Sequence, residues 1–175
     1  MPMIDVVIPK GALAQDVEAR LLKEMTDILL RAEGFDPANE VAQSVSVLFL
    51  HRPDATFVGG LPAAAPRYRI VPSVPEGQYT QESMARLVKE LTEAIVRADG
   101  GRFEDVAPRV WVFPTEVPDG HWGSRGVIRH LPEIQAFISG DQDRSVGSER
   151  LARRRRTKAL DVIASMADAI GRGAG

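Results

Sequence analysis

Two stretches of the chain carry the same pattern of apolar and polar positions. Residues 18–34 read EARLLKEMTDILLRAEG, and residues 84–100 read MARLVKELTEAIVRADG. They align without a gap at an offset of 66 (84 − 18). In the first, Leu21, Met25, Ile28, Leu29 and Ala32 fall at the three-and-four spacing that lines one face of a helix. In the second, Leu87, Leu91, Ala94, Ile95 and Ala98 do the same. Each stretch stops at a glycine, Gly34 or Gly100, the residue that closes a helix at least steric cost. The pattern predicts two amphipathic helices related by duplication.

The flanks repeat as well. MIDVVIPKG precedes the first helix and YRIVPSVPEG the second; both are short apolar runs ended by a Pro-x-Gly turn. QSVSVLFLHRPDATFVGG follows the first helix and PRVWVFPTEVPDGHWGSRG the second. Each holds a strand, a proline, and a glycine-rich end with a large aromatic, Phe57 or Trp122. The chain therefore reads as two β-α-β units, 1–60 and 66–130, joined by GGLPAAAPR at 59–67. Their strands can join into a four-stranded sheet with both helices on one face. That is an α/β fold of the two-layer α+β sandwich kind. Residues 131–175 have no counterpart in the repeat and form a C-terminal arm. LPEIQAFISGDQDRSVG reads as loop with one turn of helix. A helix follows over about 148–170, with Leu151, Leu160, Ile163, Met166 and Ile170 apolar.

Composition narrows the chemistry. The 175 residues are 44% apolar, enough for an ordinary core, and carry a net charge of −2, which argues against nucleic acid as a partner. The basic run RLARRRR is expected to be a solvated helix face, or an arm against a neighbouring subunit. The absence of cysteine removes disulfides, thiolate catalysis and cysteine metal sites. No apolar run reaches the roughly 20 residues of a membrane span, and MPMIDVV lacks the basic start of a signal peptide; a cytoplasmic protein is expected. His51, His121 and His130 are too scattered to predict a metal site, and no Gly-rich phosphate loop or Ser-His-Asp arrangement is present.

Pro2 directly after Met1, the β-α-β unit, and the hairpin TEVPDGHWGSRG together resemble the tautomerase superfamily. This superfamily holds the 4-oxalocrotonate tautomerases, the macrophage migration inhibitory factor group and the 3-chloroacrylic acid dehalogenases. The second unit is similar to a 4-oxalocrotonate tautomerase over roughly 68–130. The first, with RPDATFVGG, is closer to the cis-3-chloroacrylic acid dehalogenase group. The resemblance implies a homotrimer, no cofactor, a small-molecule substrate, and Pro2 as the catalytic group. Removal of Met1 leaves Pro2 with a secondary amine. An α-amino group titrates near ~7.7–8.0, and an apolar pocket or nearby cation lowers that further. Such an amine is matched to proton transfer at a carbon beside a carbonyl. Pro66 opens the second unit, but its nitrogen is an amide and cannot be a base.

The chain departs from the superfamily pattern where carboxylates are bound. Gln78 stands where the 4-oxalocrotonate tautomerases have an arginine, and Ala12 stands there in the first unit; Ser46 and Trp111 replace a second one. Against the dehalogenase pattern, Pro75 and Gln78 replace an arginine pair, Leu29 a histidine, Phe113 a tyrosine, and Ser124 the water-activating glutamate. Arg125 in the hairpin is expected to contact a substrate carboxylate or enolate oxygen, with Arg69 the second choice. Trp122, Ser124, Gln78, Trp111 and Phe57 complete the expected pocket lining. The activity these features imply is a tautomerase or isomerase acting on a small enol or 2-oxo acid. The alternatives are a hydratase or dehalogenase with Pro2 as general acid, and a trimeric scaffold without chemistry.

Overall fold

A computed structural model describes residues 2–173 of the chain. The first unit contributes β1 (Met3–Val7), α1 (Gln15–Glu33), a short α2 (Glu40–Ser44) and β2 (Val47–His51). A small hairpin, β3 (Phe57–Val58) and β4 (Leu61–Pro62), occupies the segment expected to be a plain linker. The second unit contributes β5 (Tyr68–Pro75), α3 (Gln81–Asp99), a short α4 (Phe103–Val106), β6 (Val110–Val112) and β7 (Thr115–Val117). The hairpin β8 (Trp122–Ser124) and β9 (Val127–Arg129) leads to α5 (Leu131–Ser139) and α6 (Arg144–Gly173).

The central sheet runs in the order β2-β1-β5-β6, with β7 continuing beside β5. Within each unit the strands are parallel, β1 with β2 and β5 with β6, as a helical crossover requires. The units meet antiparallel, Met3 opposite Ser73 and Val7 opposite Arg69. The start of β1 therefore lies at the end of β5. The repeat offset carries into burial: Ile4 and Ile70, Leu21 and Leu87, Met25 and Leu91, Leu29 and Ile95 are each almost wholly buried. They make one core between the sheet and the helix pair α1 and α3. Both helices end in left-handed glycines, Gly34 at φ 81° and Gly100 at φ 80°.

The arm departs from the expectation in two ways. Residues 131–139 are helical throughout, because His130 and Glu133 form a reciprocal cap around Pro132 and because Leu131, Ile134 and Ile138 share a buried face. In addition, α6 begins at Arg144, and its first half packs on α5 and on the turn after β5. Two glycines permit this. A Cβ on Gly147 would sit 2.7 Å from the Pro132 Cα, and a Cβ on Gly77 would sit 3.1 Å from the Leu151 Cα.

Candidate functional site

The topology gathers side chains at the end of the sheet where β1 starts. Pro2 is buried there, its carbonyl accepting a hydrogen bond from the Val47 amide at 3.2 Å. Continuing the β1–β5 register puts it opposite Val74. The turn Glu76–Gly77–Gln78–Tyr79 follows β5 at this same end. The right-handed crossover also returns the last turn of α1 here, with Glu33 at its C-terminus. From β7 comes Glu116, from β8 Trp122, and from α6 Arg150.

Arg150 ties these elements together. Its Nη1 donates to the Glu33 carbonyl oxygen at 2.8 Å and to Gln78 Oε1 at 2.8 Å. Burial lowers its pKa, an effect that Arg153 reinforces. Further along the same helix Arg154 pairs with Glu116 at 2.6 Å, Arg155 with Asp119 at 3.5 Å, and Lys158 with Glu76 at 2.6 Å. Arg154 and Arg155 of the basic run thus reach acids of the second unit, while Arg153 and Arg156 stay on the exposed side of the helix, as a solvated face would.

Beside this framework lies a set of buried polar atoms without partners. Both carboxylate oxygens of Glu33, Nε2 of Gln78 and Oη of Tyr79 make no hydrogen bond among the described residues. Glu33 is 1% exposed, Gln78 4% and Tyr79 4%. Leaving such groups unpaired costs ~1–3 kcal/mol each, which makes this cluster the candidate place for a bound group. Burial pushes the Glu33 carboxyl up to about 7, against the opposing pull of Arg150. Burial also raises the Tyr79 phenol above its ordinary value, and the charges of Glu33 and Glu116 add to this.

The opposite end of the sheet carries the repeat-related arrangement in a closed form. Tyr68 Oη donates to Asp99 at 2.7 Å, and Arg109 reaches Asp99 at 3.1 Å and the Pro66 carbonyl at 2.9 Å. Burial works to raise the Asp99 pKa, and the hydrogen bonds from Tyr68 and Arg109 outweigh it and hold the carboxyl below its usual value.

The expected site residues divide between these places. Gln78 lies at the Pro2 end, buried and bound to Arg150. Trp122 is 6% exposed and packs with Leu30, Ile134 and Ile138, with Met3 against this cluster. Arg125 is exposed, takes a left-handed φ of 53°, and stands 5.4 Å from the Phe137 ring. With Ser124, Arg129 and Glu133 it lines a shallow cleft on the hairpin and α5. Arg69, Phe57 and Trp111 line a groove with Val7 and Arg67 at the far end. Met3 and Val7, four residues apart in β1, put that groove about 13 Å along the strand from the Pro2 end. The guanidinium at the Pro2 end is that of Arg150, which sequence reasoning missed, along with Glu33 and Tyr79. One signal pointed at Glu33. An acidic residue in the last turn of a helix opposes the helix dipole, and the repeat places one there twice, Glu33 and Asp99. Among the described residues no cluster of side chains could hold a metal ion, and no helix is long and apolar enough to cross a membrane.

No protein-family model and no curated protein matches this chain. Solved structures do. The protein Pt0534, inactivated by 2-oxo-3-pentynoate, is 19% identical with a TM-score of 0.59, covering 72% of this chain and 94% of its own. A fused 4-OT solved as a symmetric trimer is 21% identical with a TM-score of 0.58, over the same shares. The macrophage migration inhibitory factor of Toxoplasma gondii is 16% identical with a TM-score of 0.56, covering 73% of this chain and 99% of its own. The two β-α-β units and their antiparallel junction thus have the fold of the tautomerase superfamily.

Proposed function

We propose that this chain is a cofactor-independent tautomerase that moves a proton on a small enol or 2-oxo acid, with the amine of Pro2 as the base. The observation that carries this reading is the position of Pro2. It is buried at the head of β1, at the one end of the sheet where Gln78 Nε2 and Tyr79 Oη are buried and unpaired among the described residues. The neighbour Pt0534 is inactivated by 2-oxo-3-pentynoate, an acetylenic 2-oxo acid, which supports a 2-oxo acid as the substrate class.

In the enolising direction the Pro2 amine takes a proton from the carbon next to the carbonyl. The C–H electron pair becomes the C=C bond, and the carbonyl oxygen takes up negative charge. Gln78 Nε2 and Tyr79 Oη are donors for that oxygen or for the substrate carboxylate. Arg150 supplies the positive charge that the missing family arginines would have given, and holds the Gln78 amide so that its nitrogen faces the site. A trimer fits the reading. The sheet face away from the helices shows Val47, Phe49, Trp111 and Phe113 to solvent, and a symmetric trimer is known for a fused 4-OT.

The test begins with intact mass, because an attached Met1 makes the Pro2 nitrogen an amide. Protein lacking one methionine is then assayed by ultraviolet absorbance for ketonisation of phenylpyruvate enol and of dienols, beside a Pro2→Ala variant. The expected result is turnover that falls about 100-fold in the variant, the usual scale for a general base. Equal rates in both proteins, or Met1 retained in protein from the natural host, overturn the proposal.

A further inference from the structure

The chain contains its own reference for the Pro2 site. The offset of 66 that aligns the helices equates Pro2 with Tyr68, and Glu33 with Asp99. Burial supports this pairing across the whole strand: Pro2 and Tyr68, Ile4 and Ile70, and Ile8 and Val74 are all buried. In the second unit the phenol of Tyr68 spans the space between strand and helix end, and its hydroxyl donates to Asp99 at 2.7 Å. In the first unit the strand residue is a proline, with no phenol to offer. The equivalent carboxylate, Glu33, is left with both oxygens buried and unpaired among the described residues. A phenol is an enol in chemical terms. The second unit therefore pairs, with its own side chain, the carboxylate whose counterpart the first unit leaves unpaired among the described residues.

We infer that Glu33 is a second proton-transfer group of the site, exchanging a proton with the enol oxygen of a planar substrate while Pro2 exchanges one with its carbon. In ketonisation the Glu33 carboxylate accepts the enol O–H proton, as Asp99 accepts the hydrogen bond of Tyr68. The O–H electron pair becomes the C=O bond, the C=C pair takes the proton carried by the Pro2 ammonium, and the pair ends with the proton moved from one group to the other. Enolisation runs the same transfers backwards and resets the pair. The substrate class follows from the Tyr68–Asp99 contact: a planar enol that, like a phenol, presents its hydroxyl to Glu33. This rests on the proline reading and deepens it by naming the group that serves the oxygen.

The groups that face Glu33 bear on its ionisation. Arg150 approaches from α6 and favours the carboxylate. Tyr79, from the turn before α3, is a neutral donor. Arg31, two residues back on α1, pairs with Glu90 instead.

The experiment uses full-length protein shown by mass to begin at Pro2, as wild type, Glu33→Gln, Glu33→Asp and Pro2→Ala. The probe is phenylpyruvate enol. For wild type kcat/KM is expected to form a bell in pH, falling in acid as Glu33 protonates and in base as Pro2 loses its proton. Glu33→Gln should lower kcat about 100-fold, leave KM within about threefold, and remove the acid limb; Glu33→Asp should keep that limb with partial activity. A Glu33→Gln enzyme within about threefold of wild type with both limbs intact overturns the role of Glu33 while leaving Pro2 in place. Equal activity of wild type and Pro2→Ala overturns the proline reading instead. A second measurement stands apart from turnover. The Pro2 amine, titrated by NMR with 15N-labelled proline, should have its pKa lowered by about half a unit or more in Glu33→Gln, because a facing carboxylate favours the ammonium. An unchanged amine pKa shows that Glu33 does not face Pro2, and ends the inference whatever the substrate screen gives.

Discussion

At the scale of single residues, Glu33 makes a statement about stability as well as chemistry. Its carboxyl titrates near 7 in the folded chain, against an ordinary value of 4.5. The folded state therefore binds this proton more tightly than the unfolded state. Stability contributed by the protonated group is fully present below pH 4.5 and is lost as pH rises to about 7, a loss of about 3 kcal/mol. Glu33→Gln keeps the shape and removes the titration. Urea unfolding followed by circular dichroism should find the variant about 3 kcal/mol more stable than wild type at pH 8 and little different at pH 4. A structural ion pair predicts the reverse, a variant less stable at neutral pH. A site that costs stability in the ground state is the pattern expected where function holds a group against its solvation preference. Pro2 could be proposed from the sequence because its chemistry is covalent and local: a secondary amine exists once Met1 is gone, whatever the fold. Glu33 was not, since its burial depends on a helix end returning to the head of β1.

At the scale of elements, the repeat was readable and the arm was not. The stripes of α1 and α3 repeat apolar residues at the same spacing, so both helices, the flanking strands and the sandwich followed from pattern alone. The docking of α6 follows instead from two close approaches that leave no periodic trace, at Gly77 and Gly147. The basic run looked like a solvated face because its acidic partners Glu76, Glu116 and Asp119 lie some 30–80 residues earlier in sequence. Gly147 tests this element. Alanine there gains about 1 kcal/mol of helix propensity. Its Cβ, however, would lie 2.7 Å from the Pro132 Cα, a backbone atom that cannot swing aside. Overpacking of that kind costs ~1–3 kcal/mol, so α6 should lift from α5. Limited trypsin digestion should then cut within residues 153–158 several times faster than in wild type, and kcat/KM should fall as Arg150 leaves Gln78. Digestion at the wild-type rate would show that the crossing yields without undocking the helix.

At the scale of the whole molecule, the sheet has one covered face and one open one. On the open face, Phe49 lies beside Asp5, Asp5 beside Val71, and Arg69 beside Trp111. Phe49 is 46% exposed and Trp111 45%. Four large apolar side chains on one sheet face, beside Asp5 and Arg69, make a patch of the kind that marks a contact between subunits. The expectation is a symmetric assembly in which these faces meet around an axis. Phe49→Glu together with Trp111→Glu places two carboxylates at the centre of that contact. Light scattering after gel filtration should change from three times the chain mass of 19.1 kDa to a single chain. The fold itself should survive, because both side chains point away from the core between the sheet and α1 and α3, and circular dichroism should be unchanged. Activity separates two roles for the assembly. If the site is complete within one chain, as the buried set of Pro2, Glu33, Gln78, Tyr79 and Arg150 argues, the monomer should retain turnover within about tenfold. A mass unchanged by both substitutions would show that the apolar face is not the contact, and would move the search to the exposed apolar positions Leu160, Ile163, Met166 and Ile170 on the outer half of α6.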